Sequence, residues 1–156
     1  EKIVAVIEDE SRTSPRMKGI GAGITAIRLG SEKARYDLFF TDKRIIAAVV
    51  FSTSDVSVLL GIAGMQSLKW KKKREERRAQ FKGKTPDEIL SLHPESCEVP
   101  YNSIKSVGIK SGMFGAKMEI EAVWKGKTEK FDLPIPKKKS EEVKRILTMY
   151  LPGKVR

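Results

Sequence analysis

The amino-acid sequence predicts a mainly β fold with added α-helix. Antiparallel strands are closed by one C-terminal helix and interrupted by a helical insertion at 54–95. Three observations predict it. Met118, Ile120, Ala122 and Trp124 alternate with Lys117, Glu119 and Glu121, the period of two of a half-buried strand. The stretch LFFTDKRIIAAVV, Leu38–Val50, places β-branched and aromatic runs on either side of the short turn Thr41-Asp42-Lys43. Val143, Ile146, Leu147 and Tyr150 share one face of a segment that starts at Ser140 and stops before Pro152-Gly153.

The elements follow in order. Lys2–Ile7 is a short β-branched strand. Glu8–Gly23 is a loop rich in serine and glycine, and its Gly19–Gly23 run lacks the Gly-Lys-Ser/Thr ending of a phosphate-binding loop. Ile24–Leu29 is a strand, and Ala34–Phe40 with Arg44–Phe51 forms the clearest hairpin. Thr85-Pro86-Asp87-Glu88 opens a short helix, Pro86–Leu92, with Thr85 as N-cap and Glu88 completing a capping box. Glu98–Tyr101 and Ile104–Lys110 are strands. Ala116–Trp124 and Thr128–Leu133 make a second hairpin around Lys125-Gly126-Lys127. Pro134-Ile135-Pro136 ends the sheet, because proline cannot donate to a ladder. The terminal helix is Ser140–Leu151, with Ser140 as its N-cap.

At 156 residues the chain is most simply one domain spanning 1–156. Its net charge of +11 points to an anionic partner: nucleic acid, a membrane surface or an acidic protein. The charge is uneven. Glu1, Glu8, Asp9 and Glu10 crowd the first ten residues, whereas 69–78 and 137–139 are strongly basic. Cys97 is the only cysteine, which rules out an internal disulfide and fits a reducing, cytoplasmic setting. Lys2–Ile7 is too short for the apolar core of a secretory signal.

The stretch Asp55–Phe81, DVSVLLGIAGMQSLKWKKKREERRAQF, carries the functional expectation. Its first half is apolar over most of a helix circumference, and its second half is cationic. The apolar part is too short to span a bilayer as one helix. Leu59, Leu60, Ile62, Met65, Leu68 and Trp70 form an apolar insertion or partner-contact surface. Lys69, Lys71, Lys72, Lys73, Arg74, Arg77 and Arg78 form an anionic-surface collar around Glu75 and Glu76. Trp70 suits a membrane interface. The expected function is peripheral attachment to an anionic membrane surface or to an acidic protein there. Two other readings stand beside it: a nucleic-acid-binding surface at 69–78 with Trp70 stacking on bases, and a protein-docking or homodimer interface at Val56–Leu68.

Enzymatic chemistry is not expected. His93 is the only histidine, and His93 with Cys97 gives two ligands where a structural zinc needs four. No cofactor, metal or small-molecule substrate follows from the sequence. Because 54–95 adds no strand, replacing 55–95 by a flexible linker is expected to leave cooperative unfolding intact.

The order of elements resembles the pleckstrin-homology-like fold, and more narrowly its prokaryotic and GRAM-type branch. The residues that carry the resemblance are Leu38-Phe39-Phe40-Thr41-Asp42-Lys43-Arg44-Ile45-Ile46 and Val99-Pro100-Tyr101-Asn102-Ser103-Ile104. It covers about residues 24–51 and 97–151. It implies a strongly bent antiparallel sheet, a barrel or sandwich usually of seven strands, capped by the terminal helix. It also implies binding by loops or edges, with no catalysis. The insertion 54–95 lies outside that pattern. Arg28, Lys33 and Arg35 near the first hairpin do not have the spacing of a phosphoinositide signature.

Overall fold

The structure is a computed structural model that describes residues 1–10, 34–52, 63–113 and 115–156, with only the backbone described for 63–70. The expected strand at Ile24–Leu29 lies outside the described residues. Among those described, seven strands form two antiparallel sheets. The first sheet has the order β1 (Ile3–Ile7), β2 (Ala34–Thr41), β3 (Arg44–Ser52), β4 (Cys97–Pro100). The second has the order β5 (Ile104–Ser111), β6 (Ala116–Trp124), β7 (Lys127–Ile135). Helices α1 (Ala63–Phe81) and α2 (Pro86–Ser91) lie between β3 and β4, and α3 (Ser140–Tyr150) follows β7.

The core between the sheets follows from alternation. Tyr36, Leu38 and Phe40 of β2 and Ile45, Ala47 and Val49 of β3 point inward. They meet Met118, Ile120 and Ala122 of β6 and Phe131, Leu133 and Ile135 of β7. Val143, Leu147 and Leu151 add α3 to the same core. Val107 of β5 pairs with the chain end: its N–H donates to the Lys154 carbonyl at 2.9 Å, and Arg156 N–H donates to the Val107 carbonyl at 2.8 Å. This covers part of an edge that would otherwise expose unpaired backbone groups.

Turn chemistry sets the hairpins. Thr41 Oγ1 accepts from Lys43 N–H at 3.0 Å and Arg44 N–H at 2.9 Å, closing the β2–β3 turn. Lys125 and Gly126 have φ of 49° and 77°, the doubly positive pattern of a two-residue turn that matches strand twist. The capping box forms as its spacing predicts: Thr85 N–H donates to Glu88 Oε2 at 2.7 Å, and Glu88 N–H donates to Thr85 Oγ1 at 3.3 Å.

Three local expectations change. β7 continues through Pro134, which sits opposite Lys117 on an edge strand, where its missing N–H breaks no ladder. Tyr101–Ser103 is a 3-10 turn rather than the end of a strand, and it carries the chain from one sheet to the other. Ser140 does not cap α3 from outside. It lies inside the first turn, and its hydroxyl donates to the Lys137 carbonyl at 2.8 Å across the preceding 3-10 turn Lys137–Lys139.

A larger change concerns the insertion. β3 is buried along nearly its whole length, on both faces. Its outward residues Ile46, Ala48 and Val50, with Phe39 of β2, form a second core with Phe81 of α1 and Ile89 of α2. Phe39 and Phe81 meet edge to face, with centroids 5.3 Å apart. The continuous apolar run of β3 therefore reflects cover on both sides. The end of α1 and α2 act as core elements, which removes the physical basis for expecting the insertion to be dispensable.

Candidate functional site: the basic helix on the outer face of the first sheet

α1 is 19 residues, roughly 28 Å long at the standard rise. Arg74, Arg78 and Phe81 recur at spacings of four and three and so share one face. That face is the anchor. Arg78 makes a two-pronged pair with Asp37 of β2: Nε donates to Oδ2 at 2.7 Å and Nη2 donates to Oδ1 at 2.8 Å. Nη2 also donates to the Asp9 carbonyl at 2.7 Å. The Asp37 carboxylate takes a further bond from Asp9 N–H at 2.8 Å. Asp37 is only 1% exposed, so this is a buried ion pair whose partners satisfy each other.

Burial pushes the Asp37 carboxyl above its ordinary value, against the pull of the Arg78 and Asp9 donors. Burial also opposes the charge of Arg78, but the Asp37 carboxylate outweighs it and holds the guanidinium above the ordinary arginine range. Arg74 lies one turn earlier. Its Nη1 is 3.5 Å from Asp9 Oδ2 and 3.3 Å from the Asp9 carbonyl.

The structure thus divides the sequence-predicted collar. Lys71, Lys72 and Lys73 are exposed, whereas Arg74, Arg77 and Arg78 are half-buried. Arg74 and Arg78 hold the helix to the sheet, so their charges are matched inside the protein rather than displayed with the lysines. Glu75 and Glu76 are exposed beside the lysines. Met65, Leu68, Lys69 and Trp70 lie on α1, where only the backbone is described. Leu59, Leu60 and Ile62 lie outside the described residues, as does the rest of 53–62.

Sequence reasoning missed Asp37 and Asp9 as the partners of this helix. One signal was available for Asp37: it is the single acid within the β2 run ARYDLFFT. A carboxylate in an apolar strand requires a cation. The sequence does not say which of the chain's many cations supplies it.

A second arginine hub holds the other end of the insertion. Arg44 at the start of β3 donates to Glu1 at 2.8 Å and also pairs with Asp87 of α2 and Glu98 of β4. Its guanidinium is raised above the ordinary range, chiefly by the Glu1 bond.

The structure also places the histidine and the cysteine that the sequence singled out. His93 is buried, and its Nδ1 accepts from Glu95 N–H at 3.1 Å. Among the described residues, no three histidine, cysteine or acidic side chains converge as a metal site would require. Cys97 is half-buried opposite Ala47, and burial pushes its thiol up to about 12. The thiolate is the reactive form. Native Cys97 should therefore alkylate with iodoacetamide at about pH 8 at least ~100-fold more slowly than in concentrated urea. Equal rates, read by mass spectrometry, would contradict this placement.

Among the described residues, no helix is long and apolar enough to cross a membrane. Comparison of the chain with protein-family models, with curated proteins and with solved structures returns no match.

Proposed function

We propose that this chain is a pleckstrin-homology-like binding domain, without catalytic activity, that docks on an anionic membrane surface through the Lys71–Lys73 side of α1. The fold reading is supported by the four-plus-three antiparallel meander, with α3 packed into the core after the last strand. The functional reading is carried by the division of the collar. Inward arginines hold α1 in a fixed attitude while three consecutive lysines stay exposed.

The electrostatics contribute a reversible attraction. With Arg74 and Arg78 paired internally, Lys69, Lys71, Lys72 and Lys73 stand against Glu75 and Glu76. At about 1 kcal/mol per net basic group near an anionic surface, this gives on the order of 2 kcal/mol. That is weak alone, and apolar contact from the segment preceding Lys69 would add to it.

The test is co-sedimentation with vesicles. Vesicles of phosphatidylserine and phosphatidylcholine should carry the protein down, and phosphatidylcholine alone should do so poorly. Lys71→Glu, Lys72→Glu and Lys73→Glu together should abolish the difference without changing the thermal transition. Failure to bind anionic vesicles at low salt would sink the membrane reading. Retardation of nucleic acid, with a log–log salt slope of roughly −0.9 per phosphate contacted, would then favour the nucleic-acid surface. A concentration-dependent dimer that ignores both would favour self-docking.

A further inference from the structure

The acidic end of β1 meets the basic elements one carboxylate at a time. Glu8 lies 3.8 Å from Arg78 Nη1. Asp9 lies 3.5 Å from Arg74 Nη1. Glu10 lies 2.8 Å from Lys138 Nζ in the turn before α3. Three consecutive acids therefore bridge two basic elements that are far apart in sequence. The backbone of the segment is fixed separately: Asp9 N–H donates to Asp37, and the Asp9 carbonyl accepts from Arg74 and Arg78. Those bonds do not use the carboxylates of residues 8–10. The carboxylates are thus additional negative charge: Glu8 and Asp9 face the helix whose next residues toward the N-terminus are Lys73, Lys72 and Lys71, and Glu10 faces Lys138.

We infer that Glu8-Asp9-Glu10 is an intramolecular counter-anion beside the basic end of α1, and that anionic lipid competes with Glu10 for Lys138. This rests on the membrane reading above and adds its regulation. The two kinds of contact differ in strength. Lys138 and Glu10 form an exposed pair, which water and salt weaken, so a lipid phosphate can replace the carboxylate at little cost. The Arg78–Asp37 pair is buried and stays closed, so the helix keeps its seat while Lys138 changes partner.

The test compares two double variants of equal net charge. Asp9→Asn with Glu10→Gln removes two carboxylate charges, keeps side-chain shape and leaves the backbone bonds of Asp9 in place. Glu121→Gln with Glu129→Gln removes two charges from the second sheet. Thermal melts establish that each variant folds as the wild type does. With phosphatidylserine-containing vesicles, the first pair should bind about tenfold more tightly than the second, since it frees Lys138 and removes negative charge beside α1, and each net basic group near the surface adds several-fold. Equal binding by the two pairs overturns the counter-anion role and leaves the membrane reading standing. Binding by the first pair at physiological salt, with the wild type binding only at low salt, supports both. No binding by any form overturns both. If Asp9→Asn disturbs the fold, Glu10→Gln against Glu129→Gln asks the same question at an exposed position, and equal affinities again overturn the proposal.

Discussion

Replacing Arg78 by methionine is expected to cost about 3–5 kcal/mol of stability, because it leaves the Asp37 carboxylate buried without its cation. For a urea slope of about 2 kcal/mol per molar, the unfolding midpoint should fall by roughly 1.5–2.5 M. The pH dependence identifies the cause. Burial already pushes Asp37 above its ordinary value, and losing Arg78 removes the strongest force holding it down. A carboxyl whose folded value exceeds its unfolded value binds more protons in the folded state. Stability then rises as pH falls from the folded value toward the unfolded one. The deficit of Arg78→Met should therefore shrink as pH is lowered from neutrality toward the ordinary carboxylate range. A companion variant with Asp37→Leu added should recover most of the loss, since an apolar pair of similar size replaces a buried ion pair at little net cost. The result that would sink this account is a single variant within about 0.5 kcal/mol of wild type, the range of ordinary surface substitutions.

How much of this arrangement the sequence discloses depends on whether a signal is local. The β2–β3 hairpin, β6 and the capping box of α2 are legible because strand alternation, turn residues and the Thr85/Glu88 spacing all act within a few residues. β7 runs past Pro134 because the proline lies on an edge, and position in a sheet is not a local property. The basic helix is legible as a helix and as a source of charge. Its division into anchoring arginines and exposed lysines is not. That division depends on Asp9 and Asp37, which are 65 and 41 residues away along the chain from Arg74 and Arg78 respectively. The apolar run of β3 has the same lesson. RIIAAVVF reads equally well as a strand with one face buried in a barrel, and only the packing of Phe81 and Ile89 shows that both faces are covered.

That second core gives the other large effect. Replacing 55–95 by a flexible linker is expected to abolish cooperative folding. Phe39, Ile46 and Val50 would lose their cover, and Asp37 would lose Arg78. Each large side chain returned to water forfeits about 1.5–3 kcal/mol, so the three together lose on the order of 5–9 kcal/mol. A domain of this size has only about 5–15 kcal/mol in total. The exposed outer face of β2 and β3 would also be a flat apolar surface prone to association. The shortened chain should accordingly be insoluble or show no sigmoidal transition in urea. Adding Phe39→Lys, Ile46→Thr, Val50→Thr and Asp37→Thr to it should restore solubility, because that face would then tolerate water with strand-compatible residues. A shortened chain that keeps those four native residues and still unfolds cooperatively near the wild-type midpoint would show that α1 and α2 are appendages, and that the inner core supplies the stability alone.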